Sequence, residues 1–363
     1  MIQGHGGNVF ALAETLGCPA EAITDMSSNI NPLGTMPGLI EHLRQRLERI
    51  RVLPEVDARA ANRAIARLLD VTPERILAGG GTTQFIYTAC AALQTRRVLI
   101  IGPTYADYID GCRVHGLEPA FFLTTAEQGF QVDCDRLAAV LNNYDTVFLC
   151  NPNNPTGQGI DHQVLVQLCR QHPQVRFIID ESYLPFAPAA QARSMTGCGL
   201  DNVIVLWSVS KIFGMPGLRA GFLVANQTVV ERFSRYMQPW CVNSLAQEAV
   251  CFLGEQLAEV TAFIDQTRIF LAQEGALFRQ RLSTASLRLF PSMTSYFLMQ
   301  LGEQTTATEV CSALGQQRFL IRNCANFHGL DERFIRIALK DAATNEAVCR
   351  HLLAAVGSKE GKR

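Results

Sequence analysis

Four short apolar runs constrain this chain more than any other feature. They are Arg97-Val98-Leu99-Ile100-Ile101, Thr146-Val147-Phe148-Leu149-Cys150, Arg176-Phe177-Ile178-Ile179 and Val203-Ile204-Val205-Leu206-Trp207. Each is shorter than a domain helix and lacks the alternation of a strand with one wet face. Each therefore reads as a strand covered on both faces. Helix-like segments, such as 161–170, lie between some of them. The pattern predicts an α/β fold with a mainly parallel sheet. Every run also ends in residues that can do chemistry. The endings are Gly102-Pro103-Thr104-Tyr105, Asn151-Pro152-Asn153-Asn154-Pro155-Thr156-Gly157, Asp180-Glu181-Ser182-Tyr183 and Ser208-Val209-Ser210-Lys211. Open α/β sheets bind ligands at the carboxyl ends of their strands, so the four endings should share one crevice.

The last ending is the most telling. Lys211 follows a buried strand, and Arg219 comes eight positions later. Most lysines are plain surface cations. Beside a buried strand and a second cation the amine loses its proton more easily, and the neutral amine attacks carbonyls. Pyridoxal 5'-phosphate (PLP) is the cofactor that needs such a lysine, together with a carboxylate for its ring nitrogen and donors for its phosphate. Gly79-Gly80-Gly81-Thr82-Thr83 opens a helix pattern carrying Phe85, Ile86, Ala89, Cys90 and Leu93. Free N–H groups and the helix dipole at such a start suit an anion; a flexible turn is the other reading.

The chain has 363 residues, 48% hydrophobic, with a formal net charge of −1. That is enough for two domains, and it argues against nucleic acid or an anionic membrane as a partner. No apolar run is long enough to span a bilayer and no leader pattern opens the chain, so the expected location is cytoplasmic. Twelve cysteines show neither C-x-x-C nor a histidine cluster. They read as reduced thiols, with no metal site. The expected division is an N-terminal arm and polar loop at 1–35, a large cofactor-binding domain at 36–245 and a smaller α+β domain at 246–363. A helical pattern over 258–282 leads into the smaller domain, which ends in a helix near 345–356.

Taken in order, Asn153-Asn154-Pro155-Thr156-Gly157, Asp180-Glu181-Ser182-Tyr183, Ser208-x-Ser210-Lys211 and Arg219 resemble the fold type I PLP enzymes, the aspartate aminotransferase superfamily. The resemblance implies a homodimer and a set of roles. Lys211 is the catalytic lysine that carries the cofactor, and Asp180 pairs with its ring nitrogen. Asn154 and Tyr183 bond its phenolic oxygen. Tyr105 stacks on the ring and Ser182 lies beneath it. Gly81, Thr82, Thr83, Ser208, Ser210 and Arg219 form the phosphate cup.

Within that superfamily, His5-Gly6-Gly7-Asn8, Asn29-Ile30-Asn31-Pro32-Leu33-Gly34, Gln238-Pro239-Trp240 and Leu320-Ile321-Arg322-Asn323-Cys324-Ala325-Asn326-Phe327 resemble the threonine-phosphate decarboxylase family of cobalamin biosynthesis. This implies a phosphorylated L-amino acid as substrate and (R)-1-amino-2-propanol phosphate as product. Arg336 would hold the α-carboxylate. Arg322, with His5 and the Asn31 loop, would hold the phosphate, partly across a subunit boundary. Serine phosphate stays open as a substrate, because one methyl in a pocket discriminates by only about 1–3 kcal/mol. A histidinol-phosphate type of aminotransferase is the alternative, since it shares the cofactor site and also takes a phosphorylated substrate. A regulatory protein of this fold would carry a DNA-binding module or basic patch, and none is present. Three positions depart from the family pattern. Leu53-Pro54-Glu55 stands where relatives carry Tyr-Pro-Asp, Thr82 where Glu is frequent, and Lys340 where Arg is common.

Overall fold

Each apolar run becomes a strand buried almost end to end. In the computed structural model, which describes residues 6–357, seven strands form the main sheet. They are β1 (Ile76–Gly79), β2 (Val98–Gly102), β3 (Ala120–Leu123), β4 (Thr146–Cys150), β5 (Arg176–Asp180), β6 (Val203–Ser208) and β7 (Gly221–Val224), in the order β1-β7-β6-β5-β4-β2-β3. The pairs from β3 through β2, β4 and β5 to β6 are parallel, and β7 runs antiparallel to both β6 and β1. The fold is α/β, as expected. β3 and β7 are also apolar runs, but of only four residues each, and are not among the four read from the sequence.

The helix Thr82–Leu93 starts directly on β7. Gly221 permits this: a Cβ there would lie 2.3 Å from the Thr82 backbone nitrogen. The helix Val9–Leu16 stops at Gly17, in the left-handed region at φ 62°, where glycine has no steric penalty. The apolar spacing over 39–50 predicts one helix. Instead an α-helix, Leu39–Gln45, gives way to a 3₁₀ segment, Leu47–Arg51. Leu47 and Ile50 are exposed, so this stretch has no buried face to hold an α-helix.

A second, four-stranded sheet is antiparallel. It contains β8 (Leu287–Leu289), β9 (Tyr296–Leu301), β10 (Arg322–Asn323) and β11 (Phe334–Ala338), in the order β10-β11-β9-β8. The helix Leu257–Arg281 leads to it. The preceding helix, Ser244–Glu255, lies against Arg59–Leu69, where a Cβ on Gly254 would meet the Ala64 Cβ at 2.5 Å. That helix sits with the main-sheet helices, so the expected boundary at residue 246 falls inside it. The N-terminal arm is not separate either. Thr24 and Asp25 pair in parallel with Phe319 and Leu320. Met26 O accepts from Ala338 N at 2.8 Å, and Asn31 N donates to Lys211 O at 3.0 Å. The arm thus ties the second sheet to the lysine loop. All twelve cysteines are free thiols. Among the described residues no helix is long and apolar enough to cross a membrane.

Candidate active site

Two adjoining cavities lie where β4, β5 and β6 end, and Tyr105, Asn154, Tyr183 and Lys211 line both. The first is also lined by Gly81, Thr82, Thr83, Tyr108, Cys150, Asp180, Ser182, Ser208, Ser210 and Arg219. All the residues expected around the cofactor are therefore together. They fall into two groups. Ser208 pairs with Gly221 across β6 and β7, and Gly221 abuts Thr82. Gly81, at φ 100°, lies so close to Arg219 that a Cβ would be 2.7 Å from its Nη2. The first turn of Thr82–Leu93 has no side-chain cap. Its N–H groups, the Ser208 and Ser210 hydroxyls and Arg219 make a cup of donors with one cation, suited to a phosphate.

Asp180 marks the other group. It is buried, and its register partner is Cys150. Oδ1 accepts from Ser182 N at 2.9 Å and Oδ2 from Tyr108 OH at 2.8 Å. Burial pushes its carboxyl up, while these donors act in the opposite direction. Between the groups is Lys211. Burial, then the Arg336 and Arg219 guanidiniums, bring its amine down to about 8. The Tyr183 phenol accepts from Asn29 Nδ2 at 3.2 Å. Burial pushes it up, so it stays protonated and able to donate.

The second cavity is lined by Gly6, Ser27, Ser28, Asn29, Asn326 and Phe327, with Arg322 and Arg336. The two arginines are register partners across β10 and β11. Like charges directly opposite each other are destabilising unless something between them is negative. Among the described residues, neither has a carboxylate in ion-pair contact. Arg336 is buried; it donates to Asn154 Oδ1 and Ser27 O, and its Nε has no partner. Its guanidinium carbon lies 5.2 Å from the Tyr296 ring centroid. Arg322 donates to Asn326 Oδ1 at 2.7 Å and lies 5.0 Å from the Phe327 ring centroid. Across both cavities the lining holds one carboxylate, Asp180, against Lys211, Arg219, Arg322 and Arg336. The occupants this lining favours are anions.

One expected substrate residue is not there. Asn31 is buried with its amide already committed: Nδ2 donates to Ile212 O at 2.7 Å and Thr267 Oγ1 at 2.8 Å, and Oδ1 accepts from Leu33 N at 2.9 Å. It shapes the loop, and Asn29 takes the place on the cavity wall. His5 lies outside the described residues. Leu53 is 74% exposed and lines a different surface groove. The sequence reading missed Tyr108, Cys150, Ser27 and Ser28 as lining residues. The spacing Tyr105-x-x-Tyr108, one helical turn past a strand end, was an available signal for the first.

The model of the class I and II aminotransferase family matches residues 21–356. The chain belongs to that family. It is 33% identical to the threonine-phosphate decarboxylase of Salmonella typhimurium, over 98% of each chain. Among solved structures, it resembles the L-threonine-O-3-phosphate decarboxylase from Porphyromonas gingivalis at 30% identity and TM-score 0.80, covering 91% of this chain and 98% of that one. The histidinol-phosphate aminotransferase from Clostridium acetobutylicum aligns at 26% identity and TM-score 0.82, with the same coverage. The family's cofactor is PLP, and the donor set fits it: the cup could take the phosphate, Asp180 the ring nitrogen and Lys211 the aldehyde carbon. Because only the neutral amine attacks, the rate of PLP uptake by apoprotein should rise with pH and level off above about 8. Stopped-flow absorbance from pH 6 to 10 checks this; a rate that does not change with pH would contradict it.

Proposed function

We propose that the chain decarboxylates a phosphorylated L-amino acid with PLP, and that the substrate is L-threonine O-3-phosphate, with L-serine O-phosphate as a close second. The pairing of Arg322 with Arg336 carries this reading. Two guanidiniums without carboxylate partners share a cavity with Lys211, which suits a substrate with an anion at each end and an amine between. The likeness to threonine-phosphate decarboxylases over nearly the full chain supports it, and the place in cobalamin biosynthesis follows from the same likeness. The runner-up is a histidinol-phosphate type of aminotransferase, supported by relatives at lower identity.

When bound, PLP supplies an aldehyde for the substrate amine and a protonated ring that accepts the electron pair left at Cα. Every other part of the reaction belongs to the chain. Arg336, held by Asn154 and Ser27, grips the carboxylate. Arg322, held by Asn326, grips the phosphate. Two fixed ends leave one rotation to set, and that rotation decides which bond at Cα breaks. Asp180 would keep the ring nitrogen protonated, and Tyr183 and Asn154 would bond the phenolic oxygen. Lys211, on the wall shared by the two cavities, would carry the aldehyde carbon, and its ammonium form would supply the proton that Cα takes in place of CO2.

We also propose a homodimer. Leu47, Ile50, Val52, Leu53 and Val56 are each more than half exposed within ten residues, and Trp240, bonded through its backbone N–H to Val56 O, is 47% exposed. An exposed apolar patch of this kind supports an interface between two copies of the chain. Light scattering should give twice the 40.0 kDa chain mass; a monomer with full activity would contradict the proposal.

The reaction itself is tested in two tubes. Threonine phosphate alone should release CO2 and leave an amino-alcohol phosphate. Histidinol phosphate with 2-oxoglutarate should give no glutamate. The reverse outcome would establish the aminotransferase. Arg322→Ala should weaken use of the phosphorylated substrate by about 2–5 kcal/mol in kcat/KM, the cost of leaving a buried anion unpaired.

A further inference from the structure

Tyr108 is a fully buried hydroxyl-bearing side chain on the wall of the cofactor cavity, and the mechanism above gives it no role. It sits in the helix Asp107–Arg113, one turn after Tyr105. Its ring is stacked on Phe148 with centroids 5.3 Å apart and meets the Tyr105 ring edge-on at 5.8 Å. A ring clamped in this way cannot swing, so its hydroxyl has one direction. That direction leads to Asp180 Oδ2 at 2.8 Å, with Cys150 alongside as Asp180's partner across β4 and β5.

We propose that Tyr108 is a positioning residue for Asp180, fixing the plane and the charge of the carboxylate that meets the cofactor's ring nitrogen. The proposal rests on the PLP reading. The backbone N–H of Ser182 holds one carboxylate oxygen and the Tyr108 hydroxyl holds the other. Both donors favour the ionised acid, because a hydrogen bond to a charged acceptor is stronger than one to the neutral carboxyl. Without the hydroxyl, a buried carboxylate loses a charge-assisted bond and takes up a proton more readily. A protonated carboxyl no longer stabilises a protonated ring nitrogen. The carrying helix is itself fixed: a Cβ on Gly111 would be 2.9 Å from Ile86 O, so this helix is pressed onto the one that opens at the phosphate cup. Tyr108 therefore holds the nitrogen end of the site in register with the phosphate end.

The test compares PLP with 1-deazapyridoxal phosphate, in which CH replaces the ring nitrogen. Dissociation constants of both are measured for wild-type apoprotein and for Tyr108→Phe, which keeps the ring. Wild type should prefer PLP. Tyr108→Phe should lose about tenfold of that preference, as expected for one hydrogen bond to a charged group, and should bind the deaza analogue as wild type does. The unchanged deaza affinity also shows that the variant is folded. An equal loss for both ligands would mean that Tyr108 only packs, and would overturn the proposal, as would an unchanged preference. A wild type that binds both alike would instead overturn the pairing of Asp180 with the ring nitrogen, and this proposal with it. A wild type that binds neither would overturn the PLP reading itself.

Discussion

A protonated lysine is costly where Lys211 sits. Lys211 is half-buried, and this desolvation disfavours the charged amine, with Arg336 and Arg219 close enough to repel a third positive charge. Both effects favour the neutral base, and a neutral amine at moderate pH is what the chemistry of an aldehyde cofactor requires. The surroundings are arranged to keep the amine there. β6 delivers it at a strand end. Ser208 Oγ accepts from Ser210 N at 3.2 Å to turn the chain, and the Lys211 carbonyl is bonded by Asn31 from the N-terminal arm.

The arginines that repel Lys211 are held by neutral groups. Arg336 donates to an asparagine and a carbonyl and lies over a tyrosine; Arg322 donates to an asparagine and lies over a phenylalanine. Carbonyl dipoles and aromatic faces orient a guanidinium without cancelling its charge. Had the partners been aspartates, the cavity would hold internal ion pairs and have little left for a ligand. With the phosphate cup also cationic, the lining offers three separate anion positions. Under the proposed function they take the cofactor phosphate and the two ends of a small doubly anionic substrate.

Much of this was legible from residues alone. β2, β4, β5 and β6 stood out because strands covered on both faces must be continuously apolar, and their endings carried the cofactor residues. What escaped depends on contacts between distant parts of the chain. Asn29 and Asn31 sit two apart in an irregular loop, and nothing local says which faces the cavity. The choice is made by Ile212 and Thr267, which lie 181 and 236 residues further along and take the Asn31 amide. The meeting of Arg322 with Arg336 depends on the pairing of a two-residue strand, too short to leave a pattern. Tyr108 drew no reading from the sequence; by packing it is a core aromatic, and only its hydroxyl, aimed at Asp180, sets it apart.

Lys211, made nucleophilic by its surroundings, is the residue proposed to carry the cofactor. Borohydride reduction of the PLP-loaded protein, followed by digestion and mass spectrometry of the peptides, measures this directly. A pyridoxyl phosphate adduct is expected on Lys211 and on no other lysine. An adduct elsewhere, or a Lys211→Ala protein that still yields one after the same treatment, would contradict it.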